Sequence, residues 1–135
     1  MLSGWLDVKP YAEVEPALDA LERQARRCVI LSNGTPSMLQ AVLHSSGLSA
    51  RFQQVLSVDT VHVYKPDSRV YRLAVESLAA PIDELLFVSS NGWDAAGAAA
   101  SGLRVAWINR SGAPTERLGF TFQIIVRNLT ELIAY

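Results

Sequence analysis

Leu85-Leu86-Phe87-Val88-Ser89-Ser90-Asn91-Gly92-Trp93-Asp94-Ala95-Ala96-Gly97-Ala98-Ala99-Ala100-Ser101-Gly102 contains one complete structural unit. Its first four residues are all apolar, a run too short for a helix and lacking a polar face, which predicts a strand buried on both sides. Ser89 to Gly92 forms the exit loop, Trp93 to Ser101 a helix of small residues, and Gly102 stops that helix. A fully apolar strand feeding a helix through a short polar loop is the repeating element of a parallel sheet, since parallel neighbours need a crossover between them.

The pattern extends in both directions. Upstream, Val14, Ala17, Leu18, Leu21 and Ala25 recur at helical spacing and predict an amphipathic helix from Val14 to Arg27, with Pro16 near its start. Cys28 to Leu31 is a short apolar strand ending in Ser32-Asn33-Gly34. Thr35-Pro36 then opens a helix as N-cap and first-turn proline, and Gly47 closes it. Val55 to Val58 is the next strand, followed by a polar loop to Lys65 and a helix from about Pro66 to Leu78 that turns Val70, Leu73, Ala74 and Leu78 inward. Downstream, Arg104 to Ile108 and Gln123 to Val126 are strands, and Asn128 to Tyr135 is a terminal helix. Alternation of this kind predicts a doubly wound α/β domain over 1–135, with helices on both faces of a parallel sheet.

Composition narrows the function. With 135 residues, half of them apolar, the chain can bury an ordinary core, and 12 basic against 13 acidic residues offer no electrostatic case for nucleic acid or an anionic membrane. No run approaches the roughly 18 apolar residues that a membrane-spanning helix needs. A single cysteine, Cys28, suits a reducing compartment, and the N-terminal residues do not read as a secretion signal, so a cytoplasmic location is expected. His44 and His62 have no ligand partners at metal-binding spacing.

In an open parallel sheet, ligands bind where strand carboxyl ends meet the following loops. That rule selects Ser32-Asn33-Gly34, the loop holding Tyr64-Lys65-Pro66, and Ser89-Ser90-Asn91-Gly92-Trp93-Asp94. Taken singly, each has a plainer reading. Ser32-Asn33-Gly34 can be a turn, Ser89, Ser90 and Asn91 helix caps, Lys65 a solvated surface lysine, and Tyr71 a core residue.

Taken together, they resemble a known family. The strings Leu31-Ser32-Asn33-Gly34, Val63-Tyr64-Lys65-Pro66-Asp67-Ser68-Arg69-Val70-Tyr71 and Phe87-Val88-Ser89-Ser90-Asn91-Gly92-Trp93-Asp94 are similar to motifs two, three and four of the L-2-haloacid dehalogenases, a branch of the haloacid dehalogenase superfamily. The resemblance implies a three-layer α/β/α Rossmann-like core and a hydrolase that converts L-2-haloacids to 2-hydroxy acids and halide through an aspartyl ester. It assigns Ser32 and the Asn33 N–H to the substrate carboxylate, Lys65 to keeping the nucleophile ionised, and Asp94 with Ser89 to the hydrolytic water. Asn91 and Trp93 would line the substrate and halide pocket, and Tyr71 would support the site through its hydroxyl. Phosphatases of this superfamily usually carry an acidic residue where Ser89 stands, and with the nucleophile it holds magnesium. A serine there points to the dehalogenase branch, and the expected cofactor is none. The expected partner is a small-molecule 2-haloacid, with a homodimer as one open assembly.

The first motif of the superfamily is a hydrophobic strand ending in an aspartate, soon followed by Gly-Thr. No stretch of the 135 residues matches it. Asp7 lacks both strand and loop; Asp59, after Val55-Leu56-Ser57-Val58, falls behind the second motif and lacks the glycine. The resemblance also makes residues 1–11 the remnant of a cap-to-core connection. The expectation is therefore a fragment, incomplete at its N-terminal strand and lacking the nucleophile. Two other readings stay open: a magnesium-dependent phosphatase of the same superfamily, and a non-catalytic module that pairs with another chain.

Overall fold

The computed structural model describes residues 8–114 and 122–135; Trp5 and Asp7, and most of the expected cap-to-core remnant, lie outside the described residues. The chain divides into two compact units, 1–62 and 63–135, each with its own parallel sheet. Among the described residues no helix is long and apolar enough to cross a membrane.

In the first unit, helix α1 (Val14–Arg23) buries Ala17 and Leu18. It ends four residues before the periodicity predicts, because Ala25 adopts a left-handed conformation (φ 56°) that turns the chain into the first strand. Strand β1 (Val29–Ser32) pairs in parallel with β2 (Gln54–Ser57), from Val29 opposite Gln54 to Ser32 opposite Ser57. Between them runs α2 (Pro36–Ser46), whose cap follows the sequence: the Thr35 hydroxyl accepts the Met38 N–H at 3.3 Å, and Gly47 ends the helix at φ 74°. Leu18, Leu43 and Leu48 form the core of this unit, with Val14, Cys28, Ile30 and Phe52 packed around them. Burial pushes the Cys28 thiol above its ordinary range, and the charge of Arg51 partly opposes that shift. β2 stops at Ser57 because the Ser57 hydroxyl takes the Asp59 N–H at 3.2 Å and starts a single 3₁₀ turn over Val58–Thr60.

In the second unit, β3 (Leu86–Ser89), β4 (Arg104–Ile108) and β5 (Ile124–Val126) lie in that order, all parallel. Helix α3 (Ser68–Leu78) precedes them, α4 (Gly92–Ala100) links β3 to β4, and α5 (Leu129–Ile133) follows β5 with the Asn128 side chain accepting the Glu131 N–H at 2.9 Å. α3 starts two residues after Pro66, because the Asp67 carboxylate caps it by accepting the Arg69 N–H at 2.9 Å. On one sheet face Ala106, Ile108, Ile124 and Val126 pack beneath Leu129 and Leu132. The sequence predicts β3 to be covered on both faces, but Leu86 and Val88 on this side remain 41% and 37% exposed. Their face of β3 lies beyond the residues that α5 covers.

The opposite face carries Phe87 and Ser89, which alternation along the strand places together. α4 packs on this face and also against α3. Its small residues permit that approach: a Cβ on Gly97 would sit 2.7 Å from both Pro66 Cβ and the Tyr71 hydroxyl oxygen.

Candidate functional site

Asp94 organises the second unit. It stands in the first turn of α4, where a negative charge suits the helix dipole, and its side chain is only 6% exposed. Three donors converge on its carboxylate: Lys65 Nζ reaches Oδ2 at 3.1 Å, Ser89 Oγ donates to Oδ2 at 2.9 Å, and the Tyr71 hydroxyl donates to Oδ1 at 2.8 Å, with the Asp94 main-chain oxygen at 3.2 Å as a second acceptor. An ionised carboxylate offers about four acceptor positions, so these donors leave room for a water or a substrate hydroxyl.

Each donor arrives from a different element. Lys65 comes from the loop before α3, at a cis Lys65–Pro66 peptide, and its side chain is 10% exposed. Tyr71 lies in the first turn of α3 and is fully buried. Burial, followed by the hydrogen bond to Asp94 and its charge, drives the Tyr71 hydroxyl far above its usual range, so it acts as a donor at every ordinary pH. Ser89 ends β3, and its hydroxyl both donates to Asp94 and accepts the Asn91 N–H at 3.1 Å. Asn91 precedes α4 with its side chain exposed and making no cap, and Trp93 is 41% exposed beside it. Lys65, Tyr71, Ser89, Asn91, Trp93 and Asp94 thus all belong to the second unit.

Ser32 and Asn33 belong to the first unit, at the exit of β1. The Ser32 hydroxyl accepts the Gly34 N–H at 3.1 Å, and the Ser57 hydroxyl donates to the Gly34 carbonyl oxygen at 2.7 Å. Asn33 is exposed at the tip of this turn. Asp59 is exposed on the 3₁₀ turn after β2.

Two further residues, which the sequence marks only as strand positions, support the site. The Phe87 ring lies beneath the Lys65 ammonium, 5.2 Å from Nζ to the ring centroid, and meets Tyr71 edge-to-face at 5.4 Å and 86°. Trp107 on β4 donates its indole N–H to the Ser90 carbonyl oxygen at 3.2 Å and packs against Phe122, which ties the Ser89–Asn91 loop to the sheet. For Phe87 a signal existed: period-two alternation puts it on the same face as Ser89.

Residues 2–102 match the model of the haloacid dehalogenase-like hydrolase family. The chain belongs to that family. Among its relatives within the haloacid dehalogenase-like hydrolases, an (S)-2-haloacid dehalogenase of Pseudomonas sp. (strain YL) is 45% identical over 121 residues, which cover 90% of this chain and 52% of that protein. The crystal structure of an L-2-haloacid dehalogenase superposes with a TM-score of 0.94 at 38% identity, covering 98% of this chain and 58% of the other. A second, from Xanthobacter autotrophicus with chloropropionic acid covalently bound, gives a TM-score of 0.89 at 33% identity, covering 98% and 62% respectively. The fold is accordingly that of the haloacid dehalogenase-like α/β hydrolases, and the chain spans little more than half the length of the curated relatives it matches.

Proposed function

We propose that this chain carries the non-nucleophilic part of the active site of an (S)-2-haloacid dehalogenase, a hydrolase that acts on carbon–halide bonds. The observation that carries the reading is the Lys65, Ser89 and Tyr71 donor set around Asp94, in a chain whose relatives are dehalogenases. In the first step an aspartate outside these 135 residues attacks C2 of the haloacid, and the halide leaves with the bonding electron pair. Lys65 supplies the positive charge that keeps that aspartate ionised. In the second step Asp94, oriented by Ser89 and Tyr71, takes a proton from the water that attacks the ester carbonyl; the acyl C–O bond breaks, the departing alkoxide takes up that proton to become the 2-hydroxy acid, and the regenerated aspartic acid gives its proton to solvent. By the same resemblance Ser32 and Asn33 hold the substrate carboxylate, while Asn91 and Trp93 border the halide. A cytoplasmic location and a homodimer complete the proposal; sedimentation tests the second.

The test measures halide release from L-2-chloropropionate. The 135-residue chain alone should give negligible release. A chimera that joins it to the preceding segment of the strain YL relative should turn over, and should lose that turnover on Lys65→Ala. Robust release by the chain alone would overturn the assignment of the nucleophile to another segment. A magnesium-dependent phosphatase activity in the chimera, without halide release, would overturn the dehalogenase reading.

A further inference from the structure

We infer that Phe87 is a positioning residue for the Lys65 ammonium. The inference rests on reading the Lys65–Asp94 pair as the reacting end of the site, and three observations lead to it. A lysine ammonium ends a four-carbon stem with many rotamers, so one contact does not fix its position. Asp94 Oδ2 holds Nζ from one direction at 3.1 Å, while the face of the Phe87 ring lies under it from another, 5.2 Å from the centroid. The pair is nearly closed to solvent, with Lys65 10% and Asp94 6% exposed, and in such a place the negative face of a ring attracts a cation more strongly than it does at an open surface.

Strand geometry makes this an arrangement of two neighbours. Phe87 and Ser89 are two residues apart on one face of β3, so one short strand presents a hydroxyl to the carboxylate and a ring to the ammonium. Phe87 also braces the other side of Asp94, because its edge-to-face contact with Tyr71 holds the ring whose hydroxyl donates to Oδ1. An aliphatic residue at position 87 could fill the same space under Tyr71, but it would offer the ammonium no quadrupole. Phe87 thereby sets where the charge on Lys65 is held, without touching substrate.

The test separates the electronic role from packing. Site-specific replacement of Phe87 by 4-fluoro-, 3,5-difluoro- and pentafluorophenylalanine keeps the ring shape while progressively weakening its negative face. Reductive methylation with labelled formaldehyde at constant pH then reads the reactivity of each amine by NMR, and the chain has only two lysines, so Lys9 serves as the internal reference. The Lys65 rate relative to Lys9 should rise stepwise, by about two- to ten-fold across the series, as the weakened ring ceases to stabilise the ammonium. Phe87→Leu should raise it as well, and pentafluorophenylalanine at Phe122, which packs on Trp107, should leave it unchanged. A flat Lys65 rate through the fluorinated series would show that Phe87 only fills space and would overturn the inference. Labelling needs no turnover, so its outcome is independent of whether the chain or the chimera releases halide.

Discussion

Lys65 Nζ and Asp94 Oδ2 lie 3.1 Å apart, although 29 residues separate them along the chain. Both side chains are nearly sealed from water, so this is a buried ion pair whose desolvation cost is met by mutual attraction together with the Ser89 and Tyr71 hydrogen bonds.

Removal of one partner strands the other charge. Lys65→Met should cost about 3–5 kcal/mol in urea unfolding, because it leaves the Asp94 carboxylate buried without its cation. Lys65→Met combined with Asp94→Asn should cost less than Lys65→Met alone, since no net charge then remains buried. Additive losses in the double variant would contradict the pairing.

Gly97→Ala tests the approach of α4 to α3. Alanine favours a helix over glycine by about 1 kcal/mol. Here the added Cβ would meet Pro66 Cβ and the Tyr71 hydroxyl oxygen at 2.7 Å, and relief of such overpacking costs about 1–3 kcal/mol. Pro66 is held in its ring and Tyr71 is fully buried, so neither moves cheaply. The variant should unfold at lower denaturant concentration than the wild type, and a gain in stability would contradict the close approach.

Asp67 gives an acid-dependent contribution. The hydrogen bonds from the Arg69 side chain and backbone hold its carboxyl below the ordinary carboxylate range, at about 2. A lowered folded-state value stabilises the fold above the unfolded value of 3.8 and loses that contribution as pH falls towards about 2. Asp67→Ala should lower stability at neutral pH through loss of the α3 cap, with little from the exposed Arg69 pair. The gap between variant and wild type should narrow between pH 4 and pH 2 in thermal unfolding. A gap independent of pH would remove the charge from the account.

Much of the fold is legible in local patterns. Thr35-Pro36 and Gly47 bound α2 as capping chemistry predicts, and the apolar runs became parallel strands within a residue or two of their expected limits. The two misplaced helix ends share a cause. α1 ends early at a left-handed Ala25, and α3 starts late because the Asp67 side chain, not Pro66, satisfies its first free N–H; both follow from hydrogen bonds and backbone choices that periodicity does not encode. The exposed face of Leu86 and Val88 was illegible for another reason: an apolar residue states what it would bury, but not whether a neighbour covers it.

By itself the sequence determined the alternation of strands and helices, the loops at strand exits and the residue types those loops offer, because side-chain period, capping and turn chemistry act over a few residues. The family resemblance groups Lys65, Tyr71, Ser89 and Asp94 at one site, but only the tertiary structure decided that the first three donate directly to the Asp94 carboxylate, and that Phe87, placed by alternation on the face of Ser89, lies beneath the ammonium. Those neighbours come from separate elements, and their distances depend on strand register and on how closely α4 can approach, which packing sets across the whole unit.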